Sequence, residues 1–226
     1  MVAHTATAVA YTTIFRSVIV PDVTVVRSER AERILRAAMH LFHERGFNAV
    51  GVDLIGERAG MSGPAIYRHF ASKDAILVTL VDDAIDKVLL ATAGVHDDPF
   101  DELRHLVRMH VQRVLEEREL MSIWIKERNA IPKKLRPRLR SRIDRYMDRW
   151  FLCLDRCYPG NPRPVLVTAV HAIHGLIDSA ATWPEEMLSV DGTDDVLTGI
   201  AMAGFGWLGD QERPVVGDGT CRQETI

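Results

Sequence analysis

The 226-residue chain has few cysteines: Cys153, Cys157 and Cys221 are all it contains. A count that is odd and low excludes a disulfide framework and points to a reducing compartment. Aromatic residues are sparse, at 7%. Long apolar runs are also lacking. The longest uncharged stretches are 165–177 and 196–208, and His171 and His174 interrupt the first. Both fall short of the roughly 20 residues that cross a bilayer. Neither sign of charge dominates, with 28 Lys+Arg against 31 Asp+Glu and a net charge of −3. That excludes a uniformly basic, histone-like chain. There is no Gly-x-Ser-x-Gly, no phosphate loop and no convincing carboxylate pair, so neither an enzyme nor a bound cofactor is expected. Residues 1–26 hold a single basic residue, Arg16, and lack the basic start and continuous apolar stretch of a signal peptide. They and residues 209–226 are expected to be flexible tails of a soluble cytoplasmic protein.

What is present is uneven. Residues 27–74 are net +2, 75–100 net −4, 101–150 net +6 and 151–226 net −7. The near-neutral total is therefore a cancellation between blocks. It leaves room for a local basic surface.

Apolar residues recur at helical spacing, with little period-2 alternation. The pattern predicts an all-α chain of nine helices, at 28–45, 52–59, 63–69, 73–93, 100–117, 119–130, 135–157, 162–182 and 193–208. Ser28, Ser62 and Ser72 are expected N-caps, and Gly46 a C-terminal stop. Pro64 falls in a first helical turn, where its missing N–H costs nothing. The predicted organisation is a small head at 27–74 and a larger helical body at 75–208.

Two short helices joined by a Gly-containing turn, on a longer first helix, make a helix-turn-helix. The second must enter a groove about 12 Å wide, so it is short and leads with its N-terminal side chains. Within 46–74, the elements Ala59-Gly60-Met61-Ser62, Tyr67-Arg68-His69-Phe70 and Ser72-Lys73-Asp74 occur in order. In order and spacing they resemble the signature of the TetR family, bacterial transcription regulators. The resemblance covers about 28–93. It implies that 63–69 is the recognition helix, starting into the groove at Ser62, Gly63, Pro64 and Ala65. It also implies that Tyr67, His69 and Lys73 meet DNA phosphates; Arg68, which the core face does not need, is a further candidate. Two departures stand out. Val50-Gly51 replaces a usual Thr or Ser, which removes a hydroxyl, and Gly56 replaces a usual Ala, which weakens its helix by up to about 1 kcal/mol.

In the body, Leu135, Leu139, Ile143, Tyr146, Trp150 and Leu154 form an apolar stripe. Arg138, Arg142, Arg145 and Arg149 form a second stripe on the same helix, expected to be a solvated face paired with acidic neighbours. The acidic C-terminal block is one source of those neighbours. The helices 162–182 and 193–208 are apolar on most faces, which suits a homodimer joined through them. The resemblance implies the same. A dimer would set two recognition helices on palindromic half-sites of a double-stranded DNA operator, about 34–36 Å apart or a multiple of that.

A small-molecule effector pocket is expected inside 100–182, at Trp124, Arg128, Asn129, Tyr146, Trp150, His171 and His174, which mix polar tips with apolar bodies. The stretch 124–129 is similar to a segment of TetR-like regulators tied to acyl-CoA or lipid metabolism, which makes such a molecule the expected effector. The function expected is a repressor released from its operator by that effector. An alternative is a metal or thiol sensor in which Cys153, Cys157, His171 and His174 act together as a Cys₂His₂ set.

Overall fold

The computed structural model describes residues 27–94, 96–127, 133 and 136–210. Among the described residues it is all-helical, with ten α-helices and no strand. They are α1 Glu29–Arg45, α2 Val52–Ala59, α3 Gly63–Ile66, α4 Lys73–Ala91, α5 Pro99–Glu116, α6 Arg118–Glu127, α7 Arg136–Cys157, α8 Arg163–Ser179, α9 Glu185–Leu188 and α10 Thr193–Asp210.

The caps follow the side chains. Ser28 Oγ accepts from the N–H of Ala31 at 3.3 Å, and Ser72 Oγ from Ala75 at 3.1 Å. Asp98 accepts from Phe100 and Asp101 at 2.8 and 3.0 Å, starting α5 on Pro99. Gly46 ends α1 at φ +78°, and Gly60 ends α2 in the left-handed region at φ +68°. That region penalises any residue with a Cβ.

Two apolar cores result. The first joins α1–α4 through Ile34, Leu41, Phe42, Ile55, Ile66, Ile76 and Leu80. It also takes Leu120 and Ile123 from α6 and Leu139 from α7. The second fills the body between α5, α7, α8 and α10, around Leu106, Trp150, Leu154, Val170, Ile177 and Phe205. The helix α4 serves both, because Val88 and Leu89 near its end pack on the second core.

Three elements differ from expectation. The segment expected as one helix over 63–69 is helical only to Ile66. Tyr67 to His69 continue as turn, closed by the N–H groups of His69 and Phe70 on Ile66 O at 2.9 and 3.0 Å. The chain must leave the helix there, because Ser72 already sits extended at φ −165° to cap α4. Residues 180–182, expected to close the 162–182 helix, form a separate 3₁₀ turn before Pro184. Beyond that proline lies α9, a single turn that the apolar pattern does not announce.

Candidate nucleic-acid interface and body cluster

The helix-turn-helix is held together at very short range. A Cβ on Gly56 would stand 2.8 Å from Met61 O and 3.1 Å from Gly63 N. Glycine at this position thus lets the turn and the start of α3 close onto α2. From sequence alone that glycine shows only a loss of helix propensity. Gly63 is itself buried, and a Cβ on it would overlap the Asp53 carboxylate. Gly63 therefore faces α2. It is not among the exposed residues of α3.

Ile66 and Phe70 turn into the first core. On the other side Pro64, Tyr67, Arg68 and His69 are exposed, with Tyr67 at 57%. A large aromatic that exposed on a three-residue turn has no packing role to explain it. Ser62 is exposed and its hydroxyl makes no cap bond to α3, while Ala65 is half-buried. Gly51 caps α2 by backbone alone, so this helix end offers N–H groups without a neighbouring hydroxyl.

Lys73 departs from its expected place. Its Nζ donates to Phe47 O and Val50 O, both at 2.8 Å, and lies 4.2 Å above the Phe47 ring. An ammonium with two carbonyl acceptors and an aromatic face is a clasp on the α1–α2 loop. The same loop leads into α2, so Lys73 sets the height of the helix-turn-helix against α4.

Among the described residues, Arg142, Arg149 and Arg156 of α7 find acidic partners outside the C-terminal block. Arg142 pairs with Asp82 and Asp86 of α4. Arg149 is buried, donating to Gly94 O at 2.9 Å with Glu102 at 3.5 Å, and Arg156 reaches Glu102 at 2.5 Å. Arg145 is exposed, and the side chain of Arg138 lies outside the described residues. The negative block 75–100 thus supplies part of the balance for the positive block 101–150, across the junction of α4 and α7.

Of the expected pocket residues, Tyr146, Trp150 and His174 come together in the second core, joined by two residues that sequence reasoning missed. The Tyr146 hydroxyl donates to His110 Nδ1 at 3.1 Å, and His110 Nε2 donates to Asp178 Oδ1 at 3.1 Å. This order makes His110 the Nε2–H tautomer. His174 stacks on His110 with ring centroids 4.3 Å apart, and Trp150 meets His174 edge-on at 4.6 Å. Burial pushes the Tyr146 phenol far up and keeps it protonated as a donor. Among the described residues, His174 Nε2 is buried without a hydrogen-bond partner.

His110 was legible: it falls on the inward stripe Leu103, Leu106, Val107, His110, Val111, Val114. Asp178, the residue after buried Ile177, carried no such signal. Trp124 packs on the first core instead, His171 is exposed, and Arg128 and Asn129 lie outside the described residues.

The Cys₂His₂ set is not assembled. Among the described residues no group of three or more His, Cys, Asp or Glu is placed to hold a metal ion. His174 is committed to the aromatic stack while His171, three residues earlier on α8, looks outward.

The family model described as bacterial regulatory proteins, tetR family, matches residues 34–80, which are α1 to the first half of α4. The transcriptional activator FasR of Mycolicibacterium smegmatis is 38% identical over 63 residues, 28% of this chain and 29% of that protein. This chain therefore matches under a third of that relative's length. Among solved structures, a regulatory protein of the tetR family from Rhodococcus RHA1 has a TM-score of 0.72 at 19% identity, covering 81% of this chain and 98% of that one. AibR, in complex with isovaleryl coenzyme A and operator DNA, has a TM-score of 0.66 at 17% identity, covering 77% and 97%. Residues 34–80 thus match the tetR family of bacterial regulatory proteins in sequence, and the described helices share the fold of solved tetR-family regulators.

Proposed function

We propose that the protein is a homodimeric repressor that leaves its DNA operator when a small apolar effector enters the body. One observation carries the reading: α3 is split, with Ile66 and Phe70 buried and Pro64, Tyr67, Arg68 and His69 exposed together. Such an edge offers a phenol, a guanidinium and an imidazole to phosphates and base edges. Ser62 and Ala65 lead it into the groove, and Lys73 supports it by holding the loop before α2.

Release requires that a change in the body reach α3. The first core supports that link, because Leu120, Ile123 and Leu139 of the body pack among head residues. His40 of α1 also meets Glu119 of α6 at 2.8 Å. A shift of α6 or α7 is thereby a shift of the head. A tenfold loss of DNA affinity needs only about 1.4 kcal/mol of such coupling.

The effector site is assigned to Tyr146, Trp150 and His174, with His110 and Asp178. An apolar, acyl-like molecule suits the surrounding core, and the structural neighbour AibR is seen with an acyl coenzyme A. The dimer is assigned to α8 and α10. α10 carries Val196, Ile200 and Trp207 in the open, and Trp207 lines an apolar groove with Val165, Ala169, Ile173 and Gly204. Residues 163–182 are long and apolar enough to cross a membrane by length and composition alone. An apolar face of this kind is equally what a subunit partner covers.

Fluorescence anisotropy on the gene's own upstream DNA tests the proposal. Retention at low salt that weakens steeply with added salt is expected. No retention at low salt would defeat it.

A further inference from the structure

A carboxylate sits at the leading end of α3. Asp53 belongs to the first turn of α2 and is exposed. Its side chain reaches across to Gly63, where a built Cβ would meet Asp53 Oδ1 at 1.9 Å and the carboxyl carbon at 3.1 Å. Oδ1 is thus turned toward Gly63 and Oδ2 away from it. Gly63 is not among the glycines at positive φ, so space, not backbone conformation, is what a side chain there would change. Ser62 and Pro64, on either side of Gly63, are exposed. Among the described residues no ion pair engages Asp53.

An unpaired carboxylate is an odd group to place beside DNA. Phosphates repel it, so it weakens binding to duplex of any sequence. In the major groove the same charge discriminates. A carboxylate only accepts hydrogen bonds. Guanine shows N7 and O6 there, and thymine O4, all of them acceptors. Adenine shows an amino group beside the acceptor N7. Cytosine shows its N4 amino group with no acceptor of its own beside it.

We infer that Asp53 is a specificity-determining residue that selects cytosine at one base pair of each operator half-site, Oδ2 accepting from the N4 amino group. Gly63 is its positioning residue, because only a residue without a Cβ leaves the carboxylate where it stands. The assignment rests on the DNA-binding edge of α3 proposed above and gives that edge a base preference. Arg68 and His69 supply attraction to the duplex, and Asp53 supplies rejection. Against guanine or thymine an acceptor meets an acceptor, and a charge loses water without gaining a donor.

The full chain is incubated with a duplex library of random sequence, and the bound DNA is sequenced. The parent should enrich cytosine at one position of each half-site by about tenfold, the scale of one mismatched base pair. Asp53→Ala should flatten that position and, with a negative charge gone, bind duplex lacking the site more tightly than the parent does. Asp53→Asn, nearly the same shape, should change the preferred base there to adenine, because an amide accepts from N6 and donates to N7 together. Gly63→Ala pushes on the end of a flexible side chain rather than on backbone. It should blur the same position without changing charge, and should add nothing to Asp53→Ala. A half-site unchanged in all three variants would overturn the assignment and leave the DNA-binding edge standing. Loss of every base preference at once in Asp53→Asn would also overturn it, marking Asp53 as a support of the edge. A parent that enriches no sequence would remove the DNA-binding edge itself, and the role of Asp53 with it.

Discussion

His174 lies nearly flat on His110, the two rings 4.3 Å apart and 26° from parallel. The stack has a consequence for pH. Burial, then the fields of His110 and His171, hold the His174 imidazole well below its ordinary value of 6.5. The unfolded chain therefore takes up a proton that the folded chain refuses. Stability from this group is fully present above pH 6.5 and is lost as pH falls below it. Urea unfolding between pH 8 and 5 should show a decline approaching about 1.4 kcal/mol per pH unit from this residue. His105, lowered in the same direction by burial and by His96 and Arg149, adds to the slope. His174→Phe should flatten the curve in part; an unchanged slope would rule out His174 as its source.

The Lys73 clasp separates a structural lysine from the exposed Arg68, which is proposed to face DNA. Lys73→Ala strips Phe47 O and Val50 O of a charged donor and should cost about 1–3 kcal/mol in chemical denaturation. Arg68→Ala removes an exposed side chain and should stay within about 0.5 kcal/mol. Operator affinity, measured by anisotropy, should fall for Arg68→Ala with the fold intact.

Gly56→Ala looks favourable by helix propensity, worth up to about 1 kcal/mol. The new Cβ would meet backbone, Met61 O at 2.8 Å, which cannot swing aside. The variant should be less stable than the parent by about 1–2 kcal/mol, within the range for overpacking. A gain in melting temperature would show that α2 and α3 approach less closely than described.

Arg142 ties α7 to α4 through Asp82 and Asp86, and its side chain is only 13% exposed. Arg142→Gln should cost about 1.5–3 kcal/mol, the range for charged hydrogen bonds. Because Arg142 and Asp82 are sheltered while Asp86 is half exposed, most of the loss should persist at high salt. A loss that vanishes in 0.5 M NaCl would mark the pair as surface decoration.

Trp207, 52% exposed in the groove between α8 and α10, tests the proposed dimer. Trp207→Arg puts a charge on an apolar face and should yield monomers by light scattering. Operator affinity should fall at least tenfold, since one head then binds alone. A dimer of unchanged mass would place the interface elsewhere.

Much of this molecule was legible in order along the chain. Caps and helix stops are local chemistry, so Ser28, Ser72, Gly46 and Gly60 announced their elements with no knowledge of the fold. The helix-turn-helix was legible for the same reason: its spacing is set within 29 residues. The inward stripe of α5 even carried His110. Three-dimensional packing decided the rest. It assigned Lys73 to backbone carbonyls, turned Gly63 toward α2, and gave Gly56 a close approach to the Met61 carbonyl. It divided the expected pocket, seating Trp124 in the first core and His174 in the second. It brought Asp178 to His110 across 68 residues of chain. No periodicity encodes those pairings. Helical pattern states which face is buried, and only the packed helices decide which partner that face meets.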